Sequence, residues 1–259
     1  MKMTCFLLLF LSITTFGQKW NGYKSAVVLT YDDALNVHLD NVVPALDSAG
    51  FKGTFYLTVS SAAFTNRMDE WKITAIKGHE LGNHTMYHPC AGGKGREWVR
   101  PDYDLNTYSI KRIEDEIRMT NIMLQSVDGK SERSFAYPCA DTKANGQSYI
   151  EAITDDFVGA RGVRDEIIPF GKAGEIDIYN TACFSMVNAS GESMIELVKK
   201  GMKEGGLVIF LFHGVGGEHN LNVDLKEHRK LIHFLKENQE DIWVAPFIDV
   251  AKFLKALQH

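Results

Sequence analysis

The stretch that decides the fold is Val27-Val28-Leu29-Thr30-Tyr31-Asp32-Asp33. Its apolar start predicts a short buried strand, and the two aspartates that follow mark where this strand ends and a loop begins. In open or barrel-like α/β proteins, ligands collect at the edge of the sheet where strands end. The sequence therefore predicts that Asp32 and Asp33 lie at a functional edge.

Two further segments contain histidines that are predicted to lie at the same edge of the sheet. His84 and His88 stand four residues apart, a spacing that predicts one helical turn with both imidazoles on one face, as needed to bind one divalent ion. Leu207 to Phe212 predicts a second buried strand, which leads into His213 and a glycine-rich loop. An ionisable residue in that position is more typical of an active-site acid than of a core histidine.

The combination of these segments, rather than any one of them, indicates a catalytic metal site. An aspartate pair alone is commonly a turn or a helix cap, and two histidines four apart are commonly exposed on a helix face. Together, one carboxylate can join the two histidines around an ion while the other acts as a base. Two adjacent acids can divide these roles only if their environments differ.

The segments resemble the motifs of the NodB-type polysaccharide deacetylases, which form carbohydrate esterase family 4. Thr30-Tyr31-Asp32-Asp33-Ala34 is similar to the first motif, His84-Thr85-x-x-His88-Pro89 to the second, and Leu211-x-His213 to the last. The order and spacing match over most of the chain after residue 18. The resemblance implies an α/β fold, a distorted and incomplete (β/α) barrel, and metal-dependent removal of N- or O-acetyl groups from a polysaccharide or oligosaccharide.

The resemblance also implies a role for each motif residue. The ligands of one divalent ion, usually zinc, with Co2+ or Ni2+ as alternatives, would be Asp33, His84 and His88. Asp32 would be the general base and His213 the general acid. Leu211 would line the pocket for the acetyl methyl group.

The middle motif departs from the usual pattern. Ser134-Phe135-Ala136-Tyr137-Pro138-Cys139-Ala140 occupies its place, with Ala136 where an arginine is frequent. The Tyr137 to Cys139 segment would still face the substrate, and the Cys139 backbone N–H could stabilise an oxyanion. The arginine that orients the catalytic aspartate must then come from elsewhere, and Arg161 is the best candidate. Asp177 is a candidate for the acid that orients His213.

Two loops complete the predicted site. The segment 91–107 is glycine-rich and aromatic, and long loops in compact domains are usually functional. Trp98 in this loop is assigned to substrate binding because aromatic rings stack on sugar faces. In the loop 214–223, His219 is predicted to be a substrate contact or an exposed histidine rather than a fourth metal ligand.

Elsewhere the chain alternates strand-like and helix-like segments, as a parallel α/β fold requires. The clearest amphipathic helix is predicted at 109–126, with Ser109 as its cap. Another helix is predicted at 146–153. Toward the end, a helix at 225–237 and a strand at 242–244 follow the second histidine loop.

Composition and termini indicate an exported single-domain enzyme. Residues 1–18 have a positive start and an apolar stretch typical of a signal peptide cleaved near Gln18, with an uncleaved anchor as the alternative. Cleavage would leave 19–259 as one catalytic domain, periplasmic or extracellular, without stable membrane insertion. The 259 residues are 45% hydrophobic and can bury a sizeable core. The net charge of −5 and pI near 6.0 do not indicate the basic surface that nucleic-acid binding requires. The oligomeric state stays open.

Export would leave three cysteines, Cys90, Cys139 and Cys183. This odd number implies at least one free thiol or an intermolecular bond. A bridge between Cys90 and Cys139, which both follow site motifs, stays open, and thiolate ligation of the ion is an alternative to it.

Two other functions fit parts of the pattern. A non-catalytic carbohydrate-binding relative would keep the fold, but the chain retains both presumed proton-transfer groups, Asp32 and His213. A related metal-dependent amide hydrolase would keep the chemistry, but the predicted export argues against it. The sequence does not choose among chitooligosaccharide, xylan and peptidoglycan.

Overall fold

The centre of the molecule is a mostly parallel sheet, seen in a computed structural model that describes residues 19–258. Nine strands form it, in the order β7-β4-β3-β2-β1-β10-β8, with β13 also paired to β1 and β9 to β10. The sheet curls into a half-barrel, so the fold is the α/β, distorted and incomplete (β/α) barrel that the sequence predicts. In chain order, the strands are β1 (Ser25–Asp32), β2 (Thr54–Leu57), β3 (Glu80–Asn83), β4 (Ser134–Ala136), β5 (Lys143–Ala144), β6 (Gln147–Ser148), β7 (Gly159–Arg161), β8 (Ile168–Pro169), β9 (Phe184–Ser185), β10 (Gly206–Phe212), β11 (Gly214–Val215), β12 (Asn222–Val223) and β13 (Ile242–Val244).

The helices cover this sheet and bury their apolar faces against it. Serine side chains cap several of them: Ser109 accepts a hydrogen bond from the Arg112 N–H, which begins the longest helix, and Gly129 in the left-handed region ends it. The α-helices are α1 (Val43–Ala49), α2 (Ala62–Asn66), α3 (Met68–Ile76), α4 (Ile110–Asp128), α5 (Ile150–Ile153), α6 (Gly191–Glu204), α7 (Leu225–Glu237) and α8 (Phe247–Leu257).

The central strand β1 is buried on both faces, which explains its unbroken apolar run. Val27 and Leu29 belong to one hydrophobic cluster, and Ala26 and Val28 to another on the opposite face. Side chains alternate between the faces of a strand, so a strand with apolar residues at every position must be covered on both sides. The run therefore fixes β1 at the middle of the sheet.

The register of the parallel strands brings their ends together at one edge. Tyr31 in β1 is opposite Phe212 in β10, while Leu57 in β2 is opposite Asn83 in β3. The residues that follow these pairs, Asp32 and His213 on one side and His84 on the other, therefore leave the sheet at the same edge. The segments that the sequence singled out meet because of this register.

The helix predicted at 146–153 is only half correct. Its second half is α5, but Asn145 and Gly146 form the turn of a short hairpin between β5 and β6, with φ of 47° and 74°. Asn-Gly is a strong signal for a two-residue hairpin turn, because both residues must take positive φ. This local preference prevents the helix from starting at Gly146.

Residues 1–18, where the signal peptide is predicted, lie outside the described residues. Among residues 19–258, no helix combines the length and the apolar character that crossing a membrane requires.

Two buried histidines that do not line the pocket at this edge, His228 and His79, make the fold sensitive to acid. The Nε2 of His228 in α7 lies 2.9 Å from the Tyr31 hydroxyl, and the Nδ1 of His79 accepts a hydrogen bond from the Gly53 N–H at 3.1 Å. Burial lowers the pKa of His228 to about 3 and that of His79 to about 4, from an ordinary value of 6.5. Both rings are neutral in the folded protein at neutral pH.

A folded-state pKa below the unfolded value gives stability that is fully present above pH 6.5 and is lost as the pH falls toward the folded pKa. We expect the free energy of unfolding to decrease by on the order of 2 to 3 kcal/mol at about pH 4.5 from His228 alone. Thermal unfolding at a series of pH values measures this. His228→Gln should flatten the profile, His233→Gln on the exposed side of the same helix should not, and an unchanged profile in the first variant would contradict the account.

Candidate active site

A single pocket at the carboxyl edge of the sheet collects the sequence-predicted residues. Its volume is about 730 Å³. Every residue assigned to the site from the sequence lines it except Arg161, which is buried and bonded to Asp32, and Asp177, which is exposed. The lining residues are Asp32, Asp33, Thr58, His84, His88, Trp98, Tyr137, Cys139, Ala140, Val163, Ser185, Leu211, His213, His219, Asn220 and Leu221.

Three of these residues form a donor set for one cation. The Nε2 atoms of His84 and His88 lie 3.5 and 3.3 Å from Oδ1 of Asp33, and one donor atom from each residue lies within 4.8 Å of the others. The Nδ1 of His84 is 2.8 Å from the Ala136 carbonyl oxygen, to which it donates its hydrogen. The Nε2 lone pair of His84 is therefore free to bind a metal ion.

These residues fit a divalent ion by two physical tests. Oδ1 of Asp33 is buried and accepts no hydrogen bond from any described residue, a costly state that a cation relieves. Burial would raise the pKa of Asp33, but the neighbouring histidines outweigh it and hold that pKa below its usual range. Burial lowers the pKa of His88 to about 4. Burial would also lower the pKa of His84, but the charges of Asp32 and Asp33 outweigh it and raise that pKa, so His84 would release a proton when an ion binds. An ionised carboxylate and a neutral imidazole are the forms that bind metal.

The two histidines do not lie on a helix, so the predicted helical turn is wrong. They belong to the loop that follows β3, in which Thr85 and His88 have φ of 65° and 53°. The Asn83 side chain accepts a hydrogen bond from the Thr85 N–H at 2.8 Å, and the Thr85 hydroxyl accepts one from the His88 N–H at 3.0 Å. These bonds fold the loop back on itself and bring the rings within 4.8 Å between centroids.

Asp32 has a different environment from its neighbour Asp33. Its Oδ2 accepts a hydrogen bond from the guanidinium of Arg161 at 2.5 Å, while its Oδ1 is buried and has no hydrogen-bond partner among the described residues. Arg161 is itself buried and donates a second hydrogen bond to the Cys183 sulfur at 3.3 Å. The pairing fixes one carboxylate oxygen and leaves the other available at the pocket wall.

The register of the sheet explains how Arg161 takes the place of the missing arginine. In the β4–β7 pair, Arg161 is directly opposite Ala136, the position where the middle motif usually has arginine. A guanidinium on the adjacent strand can therefore reach the same carboxylate. The sequence offers no signal for this exchange beyond an arginine at the end of a short strand.

His213 stands at the end of β10, with its backbone carbonyl oxygen 2.8 Å from Nε2 of His38. Burial lowers the pKa of the His213 ring, although the charges of Asp32 and Asp33 oppose this effect. Its Nδ1 is buried without a hydrogen-bond partner among the described residues. Asp177 does not orient this ring, because it is exposed and accepts a hydrogen bond from the Tyr179 N–H at 2.9 Å.

Cys90 and Cys139 form a disulfide bond, which settles the pairing that the sequence left open. Oxidised sulfur is no thiolate, so these residues do not ligate the ion. Cys183 is the free, buried cysteine of the described chain. The bridge joins the histidine loop to the middle motif at Cys139, whose φ of 55° and ψ of 16° lie in the left-handed region.

Removing this bridge should destabilise the fold. The Cys90–Cys139 disulfide closes a loop with a sequence separation of 49, for which the chain-entropy model gives about 4 kcal/mol. We expect the double variant Cys90→Ser, Cys139→Ser to unfold at lower denaturant concentration than the wild type. Reductant should lower the wild-type midpoint and leave that of the variant unchanged. Equal wild-type midpoints with and without reductant would contradict the bridge.

Other residues form the walls of the pocket. Leu211 is buried and lines it, and the Tyr137 hydroxyl donates to the Tyr179 carbonyl oxygen at 2.8 Å, which fixes that ring. Trp98 is 62% exposed, so its ring is accessible to a ligand. Sequence reasoning missed several wall residues because they come from separate segments without a motif: Thr58, Val163 and Ser185.

Comparison with known proteins agrees with this geometry. Residues 20–154, just over half of the chain, match the family model for polysaccharide deacetylases. The chain therefore belongs to the polysaccharide deacetylase family, a family of carbohydrate deacetylases that also contains pseudoenzymes.

Three relatives illustrate the range of this family. The peptidoglycan-N-acetylmuramic acid deacetylase PdaA of Bacillus subtilis is 22% identical over 199 residues, which cover 70% of this chain and 69% of PdaA. A family 4 acetyl xylan esterase from Clostridium thermocellum, solved with a cobalt ion, has a TM-score of 0.54 at 18% identity. The match covers 88% of this chain and 91% of the esterase. A family 4 pseudoenzyme from Bacillus anthracis has a TM-score of 0.54 at 16% identity, and the match covers 88% of this chain and 66% of the pseudoenzyme. At these identities, the solved structures establish the fold alone.

Proposed function

We propose that this protein is a metal-dependent hydrolase that removes N- or O-acetyl groups from a polysaccharide or oligosaccharide. The observation that supports this most is the arrangement of the pocket. A cation-binding set lies beside a carboxylate held by a buried arginine, and an ionisable histidine faces both. Hydrolysis of an acetyl group needs these three elements around one small volume.

Asp33, His84 and His88 would hold the ion. A divalent ion bound there would lower the pKa of a water molecule and polarise the acetyl carbonyl. Three protein ligands leave open positions on the ion, as catalytic rather than structural sites do. Zinc, cobalt and nickel all accept this donor set, and we propose zinc as the usual occupant.

Asp32 would take the proton from the attacking water. Arg161 binds its Oδ2 and leaves Oδ1 without a hydrogen-bond partner, so a basic oxygen is held at the pocket wall. The backbone N–H of Cys139 makes no hydrogen bond to another described residue, and we assign to it the stabilisation of the oxyanion. Leu211 would contact the acetyl methyl group, and Trp98 would stack on a sugar ring.

His213 would protonate the leaving group. If it does, His213→Ala should lower turnover of an acetamide, whose amine leaves poorly, more than turnover of an aryl acetate, whose phenolate needs little protonation. The ratio of the two losses is measured with purified protein of equal metal content and thermal stability. Equal losses would contradict the acid role, and an unfolded variant would indicate a histidine retained for packing.

The substrate is an acetylated carbohydrate. PdaA acts on N-acetylmuramic acid in peptidoglycan and the Clostridium thermocellum relative on acetyl xylan, which makes both glycans, and N-acetylated chitooligosaccharides, candidates here. A non-catalytic carbohydrate-binding role is the alternative, prompted by the pseudoenzyme likeness. The presence of Asp32 and His213 in one pocket with the donor set favours catalysis.

We also propose that the protein works outside the cytoplasm. The apolar segment within residues 1–18 has the pattern of an export signal. The Cys90–Cys139 disulfide supports this location, since such bonds persist in oxidising compartments.

Acetate release from chitooligosaccharide, acetylated xylan and peptidoglycan tests the proposal. We expect release from at least one of them, its loss after chelation, and its return on adding back zinc or cobalt. Release that is unaffected by complete metal removal would contradict the metal dependence. Binding of a glycan without release from any of the three would favour the non-catalytic alternative.

A further inference from the structure

We propose that His219 is a positioning residue for His213, and that it acts by stacking its ring on the His213 ring. This inference rests on the proposed acid role of His213. The two rings are 5.0 Å apart between centroids and are inclined by 14°, which is a nearly parallel stack. Both rings line the pocket.

The stack supplies an orientation that hydrogen bonding does not. In many hydrolases a carboxylate binds the far nitrogen of the catalytic histidine and fixes its ring. Here Nδ1 of His213 has no hydrogen-bond partner among the described residues, and Asp177 is exposed and accepts a hydrogen bond from the Tyr179 N–H instead. A ring that no such bond holds must be fixed by packing, and His219 offers a flat face for it.

A hydrogen bond fixes both the position of the His219 ring and its tautomer. Its Nδ1 accepts a hydrogen bond from the Leu221 N–H at 3.0 Å, so the neutral ring carries its hydrogen on Nε2. That nitrogen lies 3.8 Å from Oδ2 of Asp33. Because Nε2 is a donor and has no free lone pair, His219 is not a metal ligand. This leaves its ring face for the contact with His213.

The loop that contains His219 is firmly anchored. The carboxylate of Glu218 accepts hydrogen bonds from the Val37 N–H at 2.8 Å and from the Asn36 side chain at 2.7 Å. The Asn222 side chain accepts one from the Gly217 N–H at 2.8 Å, and β11 pairs with β12 at the base of the loop. These contacts on both sides of His219 keep its ring over His213.

The loop also passes very close to the end of the strand. A Cβ added at Gly214, directly after His213, would lie 2.4 Å from the Gly217 carbonyl oxygen and 3.3 Å from Cβ of His219. Such an approach is possible only with glycine at 214. The position of His219 is thus determined by the backbone of the same turn that delivers His213.

Two substitutions separate the stack from the hydrogen bonds. His219→Phe keeps a flat ring and removes both nitrogens, while His219→Gln removes the ring and keeps an amide that can accept the Leu221 hydrogen bond. A misplaced catalytic group costs up to about a hundredfold in rate. We expect His219→Gln to lower acetamide turnover by about tenfold or more and aryl acetate turnover much less, and His219→Phe to stay within about threefold of wild type on both.

A second measurement detects the stacking of the two rings directly and does not depend on enzymatic activity. In ¹H–¹³C spectra of histidine-labelled protein, the ring protons of His213 should show the ring-current shift of a stacked neighbour in wild type and in His219→Phe, and should lose it in His219→Gln. His233→Ala, an exposed histidine of α7, is the matched control and should change neither result.

The outcomes are distinct. Loss of acetamide turnover in His219→Phe alone would overturn stacking in favour of a hydrogen-bonding role. Loss in both variants would also overturn it, because a flat ring at position 219 would then not be sufficient. Two variants as active as wild type would also overturn it. If wild type releases no acetate, the proposed function fails, and the ring-current shifts still decide whether the stack exists.

Discussion

Replacing His84 or His88 by alanine should remove stoichiometric metal from the protein and abolish acetate release with it. Each substitution deletes one of three donors whose atoms converge within 4.8 Å. Loss of a residue that merely orients a ligand costs about 10- to 100-fold in affinity, so loss of a ligand should cost at least about a hundredfold. Metal analysis after gel filtration in metal-free buffer measures the occupancy.

The control for this experiment is an exposed histidine. His233→Ala in α7 removes an imidazole of the same type, 75% exposed and paired with Glu237, and should keep full occupancy. Circular dichroism and thermal unfolding should show that both site variants stay folded. Full metal occupancy in both His84→Ala and His88→Ala would contradict the assignment of these histidines as metal ligands.

Replacing Asp32 by asparagine should lower the rate by about a hundredfold or more, within the range for a lost general base. Asparagine keeps the shape of the side chain and its carbonyl oxygen can still accept the hydrogen bond from Arg161, but it cannot take a proton. The metal content should stay at the wild-type level, because Asp33 rather than Asp32 belongs to the donor set.

The two aspartates can exchange roles, and the same variant decides between them. Loss of the ion in Asp32→Asn would make Asp32 a ligand and Asp33 the candidate base. Substituting Arg161 instead is a poor probe, because it leaves the buried Asp32 carboxylate without its partner, a change that typically destabilises by about 3 to 5 kcal/mol.

The parts of the fold that follow local patterns could be predicted from the sequence. The strand that ends at Asp32, the strand before His213, the Ser109 cap and the helix α7 are encoded by apolar periodicity and capping residues within a few positions. Because parallel strands end at one edge, these local predictions were enough to place Asp32 and His213 near each other.

The parts that depend on register and backbone hydrogen bonds could not be predicted. The sequence names Arg161 as the candidate that replaces the motif arginine, but the reason it reaches Asp32 is that it faces Ala136 across β4 and β7, a pairing that no local pattern encodes. The loop of His84 and His88 was wrongly predicted as helix because a spacing of four is compatible with other conformations, and here Asn83 and Thr85 select one of them. The stack of His219 on His213 depends on the same kind of loop geometry.

The central claim is that Asp32 catalyses acetyl removal in a metal-loaded pocket, and one comparison tests it most directly. Wild type and Asp32→Asn, each shown to contain one equivalent of the same ion, are incubated with N-acetylated chitooligosaccharide, acetylated xylan and peptidoglycan, and acetate is measured over time. We predict that wild type releases acetate from at least one glycan and that the variant releases it about a hundredfold more slowly or not at all. No acetate from metal-loaded wild type with any of the glycans, or equal release by the two proteins, would contradict the account.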